Sequence, residues 1–332
     1  MTHPAKTPIS PSFTISRRSV LGAMAAVAID PTVRAQGAYP DKPIRVVVPF
    51  AAGISPDVIA RLWGERLSKL AGQPVIIDNK PGAASIIGTQ SVLSAPADGY
   101  TFLYTVANTV SINPYIYRNL PYKVEDLRPV SHILSVPLVM VVSAKSPFNS
   151  LQDLVAAAKA RPGQLNYATY GTGTSMHVAM GRFMTAAGIK MTHVAYKDSP
   201  LNDIISGTVD VLFEPSTTAL GHIKAGKLRA LGLTSTRPVA VIPAVAPIGE
   251  RFPGFVGDSW HGVFAKVGTP APIIERMNAL SQQVLNDEEF RKRLTDLGLI
   301  PVGGSVQTFG KFLSEDSAAW ATVVKDYDIK AD

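Results

Sequence analysis

Ile44-Arg45-Val46-Val47-Val48-Pro49-Phe50-Ala51-Ala52-Gly53-Ile54-Ser55-Pro56-Asp57 decides the fold reading of this chain. Val46, Val47 and Val48 form a β-branched run suited to a strand covered on both faces. Ala51, Ala52 and Gly53 make a small-residue loop, and Ser55 as N-cap, Pro56 at the first helical position and Asp57 in the first turn announce a helix. Strand, tight loop and helix in that order are one half of a βα unit. The first amides of such a helix have no intrahelical acceptor and carry about half a positive charge, so the loop can seat a carboxylate or phosphate. An ordinary βα turn that binds nothing accounts for the same residues.

Outward from this stretch, the first 35 of 332 residues look like an export signal: Arg17 and Arg18, an uncharged run from Ser19 to Ile29, and small residues around Val33-Arg34-Ala35. Ser16-Arg17-Arg18-Ser19-Val20-Leu21 is similar to a twin-arginine motif, with Val20 where phenylalanine is commonest. The apolar run is too short to span a bilayer, which needs about 20 residues. Removing Met1–Ala35 takes away Lys6, Arg17, Arg18 and Arg34 against Asp30, lowering a formal charge of +7 by three. The remaining Lys and Arg are scattered, which argues against nucleic-acid binding. The absence of cysteine excludes disulfides, thiolate metal sites and cysteine nucleophiles.

Downstream, strand-like and helix-like segments alternate. Strands are expected at Val75–Asp78, Thr101–Thr105, Pro137–Val142, Leu165–Ala168, His193–Tyr196, Val209–Phe213 and Leu228–Thr234, and helices at Pro56–Ala71, Ile86–Ala95, Leu151–Ala160 and Phe309–Val324. Two more loops repeat the helix-opening pattern. Tyr170-Gly171-Thr172-Gly173 leads into Thr174-Ser175 as caps, and Tyr196-Lys197-Asp198-Ser199-Pro200 precedes a helix near Leu201. If the first loop belongs to one lobe and the others to a second, they could share a cleft; periodicity does not establish that.

Enzyme motifs fail on context. Gly221-His222-Ile223-Lys224-Ala225-Gly226-Lys227-Leu228 nearly spells a P-loop, but Leu228 stands where magnesium binding needs Ser or Thr. No Gly-x-Ser-x-Gly elbow occurs, and Ser175 and His177, two apart at a helix start, diverge by about 200°. His132, His193, His222 and His261 are isolated and read as structural, whereas His177 could line a cleft; no spacing suits zinc. Trp63 and Trp320 read as core, and Trp260 as a residue near a hinge.

Several motifs together resemble the substrate-binding proteins of tripartite tricarboxylate transporters, the Bug family, over Tyr39 to Ile329. They are Pro43-Ile44-Arg45 through Pro49-Phe50-Ala51-Ala52-Gly53, Gly72-Gln73-Pro74-Val75, Asn79-Lys80-Pro81-Gly82-Ala83, Ala97-Asp98-Gly99-Tyr100-Thr101, Ile112-Asn113-Pro114, Leu120-Pro121-Tyr122, Leu165-Asn166-Tyr167-Ala168, Ala225-Gly226-Lys227-Leu228-Arg229-Ala230-Leu231 and Gly268-Thr269-Pro270-Ala271-Pro272. The resemblance implies an α/β, two-lobed type II periplasmic binding protein (a Venus flytrap), each lobe a mixed, mostly parallel sheet flanked by helices. It implies lobe one over residues 36–141 plus 264–332 and lobe two over 142–263, with crossings near Val139–Ser143 and Gly262–Lys266. It also implies a periplasmic receptor closing on a small organic carboxylate and delivering it to integral-membrane transporter subunits. Neither catalysis nor a cofactor is expected, and the expected state is a monomer; an exported hydrolase or lyase using the same cleft is the alternative.

Carried over by position, the resemblance implicates Phe50, Ala52, Gly53, Ile54, Ser55 and Asp57, then Thr105, Asn108 and Thr109, in lobe one. In lobe two it implicates Thr169, Gly171, Thr174, Ser175, His177, Tyr196, Asp198 and Glu214. Three positions depart from the family pattern: Ile54 replaces a second glycine, Asp198 replaces glycine in a loop about two residues shorter, and Glu214 replaces aspartate. An apolar branch and an added acid point to a ligand with one carboxylate and a larger apolar or aromatic part.

Overall fold

Ile44, Val46, Val47 and Val48 are fully buried in strand β1 (Ile44–Val48), as a strand covered on both faces requires. The structure is a computed structural model describing residues 39–331 together with residues 1 and 2, so all but the first two residues of the expected export signal lie outside the described residues. After β1 come α1 (Ser55–Ala71), β2 (Val75–Asn79), α2 (Ile86–Leu93), β3 (Thr101–Val106), α3 (Asn113–Ile116), β4 (Leu127–Val136), β5 (Leu138–Ser143) and α4 (Leu151–Ala160). The chain continues through β6 (Asn166–Thr169), α5 (Ser175–Ala187), β7 (Thr192–Ala195), α6 (Leu201–Ser206), β8 (Val211–Pro215), α7 (Ser216–Lys224) and β9 (Leu228–Leu233). It closes with β10 (Ser259–Lys266), α8 (Ala271–Asn286), α9 (Glu288–Asp296), β11 (Ile300–Pro301) and α10 (Val306–Asp326). Among the described residues no helix is long and apolar enough to cross a membrane.

Two mixed sheets result, ordered β11-β4-β10-β3-β1-β2 and β7-β6-β8-β5-β9. Each is parallel on one flank, β2-β1-β3 and β7-β6-β8, and antiparallel on the other. Parallel pairing is therefore less extensive than expected, because β4, β5 and β10, at the passage between the sheets, run against their neighbours. Helices cover both faces. In β5 the two-residue period sends Leu138, Met140 and Val142 into a core with Val178, Phe183 and Phe213, and Val139 and Val141 into one with Leu212, Ile204 and Ala219.

β4 was not legible as a strand. Pro129, Ser131 and His132 break its alternation, yet Pro129 pairs with Phe264 beside a register shift, a position where the ladder tolerates proline. Only Pro137 separates β4, in the first sheet, from β5, in the second, and the chain returns to the first sheet as β10. The two passages are tied together: the Leu138 N–H donates to Thr234 Oγ1 (2.8 Å), which donates to Asp258 Oδ1 (2.6 Å). Trp260, at the return, is buried, with its indole N–H on Asp316 Oδ2 (2.7 Å).

α10 spans both halves. Phe309 joins Trp260 and Phe264 of the first sheet's core, while Trp320, Val323 and Val324 join Phe183 and Met180 in the second's. A Cβ on Gly181 would meet Val323 at 2.6 Å, so α5 and α10 touch at that glycine.

Candidate functional site

A cleft of about 350 Å³ opens where residues following the C-terminal ends of both parallel flanks meet the strands passing between the sheets. From the first sheet it receives Ile54, Ser55 and Pro56 at the start of α1, with Val106 at the end of β3 and Asn108 just after it. From the second come Tyr170, Ser175 and Met176 at the start of α5, and Glu214, Pro215, Thr217 and Thr218 around the start of α7. Val136, Leu138, Ser259 and His261 of the passing strands form its back. Among the described residues no Lys or Arg lines it.

The first loop is built from behind. α1 begins at Ser55 with Ile54 as N-cap and no side-chain cap, one residue from the expected Ser55 cap. Asp57, 2 % exposed, accepts the Gly53 N–H (2.8 Å), Asn79 Nδ2 (2.8 Å) and Arg61 Nε (2.9 Å). Burial pushes the Asp57 carboxyl up, but hydrogen bonds from Arg61, Gly53 and Asn79 outweigh it and hold the group below the usual carboxylate value. The Gly53 amide is thus committed to Asp57. At φ +85° Gly53 makes a turn that side chains disfavour. Phe50 lends its carbonyl to Asn79 (3.1 Å), and Ala52 is exposed. In the first turn of α1 the Ser55 and Asp57 N–H groups have no intrahelical acceptor, Pro56 has no N–H, and Ser55 stands at the cleft.

Thr105 and Thr109 lie beneath this wall. Their hydroxyls pair at 2.5 Å, and Thr109 continues to Ser85 at 2.7 Å. Ala83, Ala84 and Ser85 all have positive φ, a costly run for residues with a Cβ; Asn113 holds it through the Ala84 carbonyl (2.8 Å). Asn108 reaches across and donates to the Gly173 carbonyl in the second loop (3.1 Å).

That second loop is knitted by side chains. Thr174 caps α5 as expected, accepting the His177 N–H (3.4 Å) and donating to the Gly171 carbonyl (2.9 Å). Thr169 bonds the Gly171 carbonyl (3.1 Å) and His193 Nε2 (2.7 Å). His177 accepts the Gly173 N–H at Nδ1 (3.2 Å) and stacks on His193 with ring centroids 3.8 Å apart. Burial, with His193 beside it, pushes His177 down to about 3, which keeps Nδ1 an acceptor. His177 therefore shapes the loop from behind rather than lining the cleft. Ser175 Oγ turns to Met176 Sδ (3.4 Å) instead of to that imidazole.

The third helix start at the cleft is not the expected one. Tyr196 donates to Asp203 (2.6 Å) and Asp198 is exposed, so neither lines the cavity. α7, which opens right after Glu214, takes that place. Glu214 is fully buried: Tyr170 Oη donates to Oε1 (3.1 Å) and Oε2 (2.9 Å), and Thr218 Oγ1 donates to Oε1. Burial raises its carboxyl to about 7, against the lowering effect of those hydroxyls. His261, buried on the passing strand, bonds Tyr104 Oη through Nδ1 (3.1 Å), and burial pushes it down to about 3.

Ile54, Ser55, Asn108, Ser175 and Glu214 thus reach the cavity itself, while Phe50, Ala52, Gly53, Asp57, Thr105, Thr109, Thr169, Gly171, Thr174, His177, Tyr196 and Asp198 stand behind or beside it. Pro56, Val106, Val136, Leu138, Tyr170, Met176, Pro215, Thr217, Thr218, Ser259 and His261 also line it and are not among the residues expected from the sequence. Tyr170 and Met176 adjoin expected residues, and Ser259 and His261 share a strand face at i and i+2; these were the available signals.

Residues 59–329 match the model of the tripartite tricarboxylate transporter family receptor, TctC. Protein BugT of Bordetella pertussis is 34 % identical over 297 residues, 88 % of this chain and 91 % of BugT. An R. palustris protein solved with adipate superposes with a TM-score of 0.77 at 31 % identity, over 88 % of this chain and 99 % of that one. MatC from Rhodopseudomonas palustris, solved with malate, gives 0.72 at 26 %, over 86 % and 100 %. The two-sheet fold, the cleft between the sheets and these matches together make the chain a member of the tripartite tricarboxylate transporter receptor family, the TctC or Bug solute-binding proteins.

Proposed function

We propose that this protein is a periplasmic receptor that captures a small organic acid and delivers it to the membrane subunits of a tripartite tricarboxylate-type transporter. The observation that carries the reading is the convergence of the α1 and α5 helix starts, one from each sheet, on one cleft lined by no Lys or Arg among the described residues. Two termini contribute about one unit of positive charge, which matches one carboxylate and falls short of two or three. The carboxylate sits at the Ser55 and Asp57 amides of α1 and the Ser175 and Met176 amides of α5, with the Ser55, Asn108 and Ser175 side chains beside it. The ligand's apolar body lies on Ile54, Val106, Leu138 and Met176. Gly53, Asp57, Thr105, Thr109, Thr169, Gly171, Thr174 and His177 hold the two loops in shape.

The sheets act as lobes hinged at Val136–Leu138 and at the segment before Ser259, and a ligand touching both favours closure because only the closed form gives it both sets of contacts. The adipate and malate bound to the two R. palustris proteins support a carboxylate as the solute. Calorimetry and thermal shift on the exported form, as a monomer, test the reading. Stoichiometric, product-free binding of monocarboxylates with apolar or aromatic bodies is expected; stabilisation by citrate or succinate and not by aromatic acids refutes the single-carboxylate assignment.

A further inference from the structure

The carboxylate seat leaves part of the cleft lining unexplained. There the only acidic side chain among the lining residues is Glu214, fully buried at the end of β8 and immobilised by Tyr170 from the second loop and Thr218 from α7. An ionised carboxylate offers about four acceptor positions. The single O–H of Tyr170 is shared between Oε2 (2.9 Å) and Oε1 (3.1 Å) and Thr218 donates to Oε1, so Oε2 keeps at least one acceptor position. The cleft's other titratable side chains bring no compensating positive charge. Burial keeps His261 neutral and Tyr170 protonated, and Asp57, behind the first loop, is itself anionic.

We propose that Glu214, aligned by Tyr170 and Thr218, reads the far end of the bound acid and demands a hydrogen-bond donor there, so that the preferred ligands are monocarboxylates with a distal hydroxyl or amine rather than dicarboxylates. This rests on the carboxylate reading above and adds the chemistry of the second end. A hydroxyl or ammonium satisfies the remaining acceptor on Oε2. An apolar end leaves a buried anion short of one partner, and a second carboxylate meets it with like charge and no cation between them.

The test is calorimetry at pH 8, where Glu214 is ionised, with three acids on one skeleton: hexanoate, 6-hydroxyhexanoate and adipate, repeated with benzoate, 4-hydroxybenzoate and terephthalate. The hydroxy acid of at least one series is expected to bind about tenfold tighter than both companions. Glu214→Gln should erase that advantage. Glu214→Asp, which withdraws the carboxylate by one methylene, should move the best ω-hydroxy acid to a chain one carbon longer, a change that a merely structural role would not produce.

A dicarboxylate binding as tightly as its hydroxy companion, or a donor preference that survives Glu214→Gln, overturns the inference while leaving the carboxylate receptor intact. If no acid of either series binds, the receptor reading and this inference fall together. Should Glu214→Gln not fold, the wild-type ranking and the Glu214→Asp length shift decide.

Discussion

Glu214→Gln also tests the electrostatics of the cleft through stability alone. In the folded protein burial raises the Glu214 carboxyl to about 7 from an ordinary value of 4.5. Between those two values the folded chain holds a proton that the unfolded chain has released, so stability falls as pH rises and this contribution levels off above about pH 7. At about 1.4 kcal/mol per pH unit, the interval bounds the loss at about 3 kcal/mol. Glutamine does not titrate, so the stability of the variant relative to wild type should climb by up to that amount from pH 4.5 to pH 8. In melting temperature this is a relative gain of about 5–10 °C. Asp258, also raised by burial to about 7, is present in both proteins and cancels in the difference. Thermal or urea unfolding of dialysed protein at four or five pH values reads the effect directly. Parallel pH profiles for the two proteins would refute the claim that Glu214 is desolvated in the folded protein.

Asp57→Ala removes the acceptor shared by Gly53, Asn79 and Arg61, and should destabilise by about 1–3 kcal/mol in urea unfolding at pH 7, with a smaller difference in acid. The sign follows from its lowered value: the ionised form contributes stability above the ordinary carboxylate range and loses it as pH falls through the folded value. Asn108→Ala deletes the hydrogen bond to the Gly173 carbonyl across the cleft and should weaken ligand binding roughly three- to tenfold in calorimetry, with little change in melting temperature. Gly173→Ala puts a Cβ 2.4 Å from Ile116 Cδ1 at φ +76°, and should lower stability by at least about 1 kcal/mol in unfolding experiments.

Local chemistry made much of this protein readable. The β-branched run at Val46–Val48, proline at the helix start and glycine-marked turns act over a few residues, so the βα units, the Thr174 cap and two of the three helix starts at the cleft follow from the chain itself. β4 did not, because its polar residues and Pro129 are accommodated only by β10 opposite them. Nor did the third helix start: Tyr196 and Asp198 carry the same loop signals as Pro215–Thr218, and only the sheet order puts β8 rather than edge strand β7 beside the crossing strand β5.

The chain alone therefore gives most of the βα units, the family and the residues able to present main-chain amides, since these depend on side-chain shape and short-range hydrogen bonding. Which of those residues line the cleft depends on how the sheets are packed. Asp57 and His177 turn their polar atoms into their own loops, while Tyr170 and His261, separated in the chain by 91 positions, reach one cavity. Orientation of that kind is set by packing between strands distant in sequence, and no local propensity encodes it.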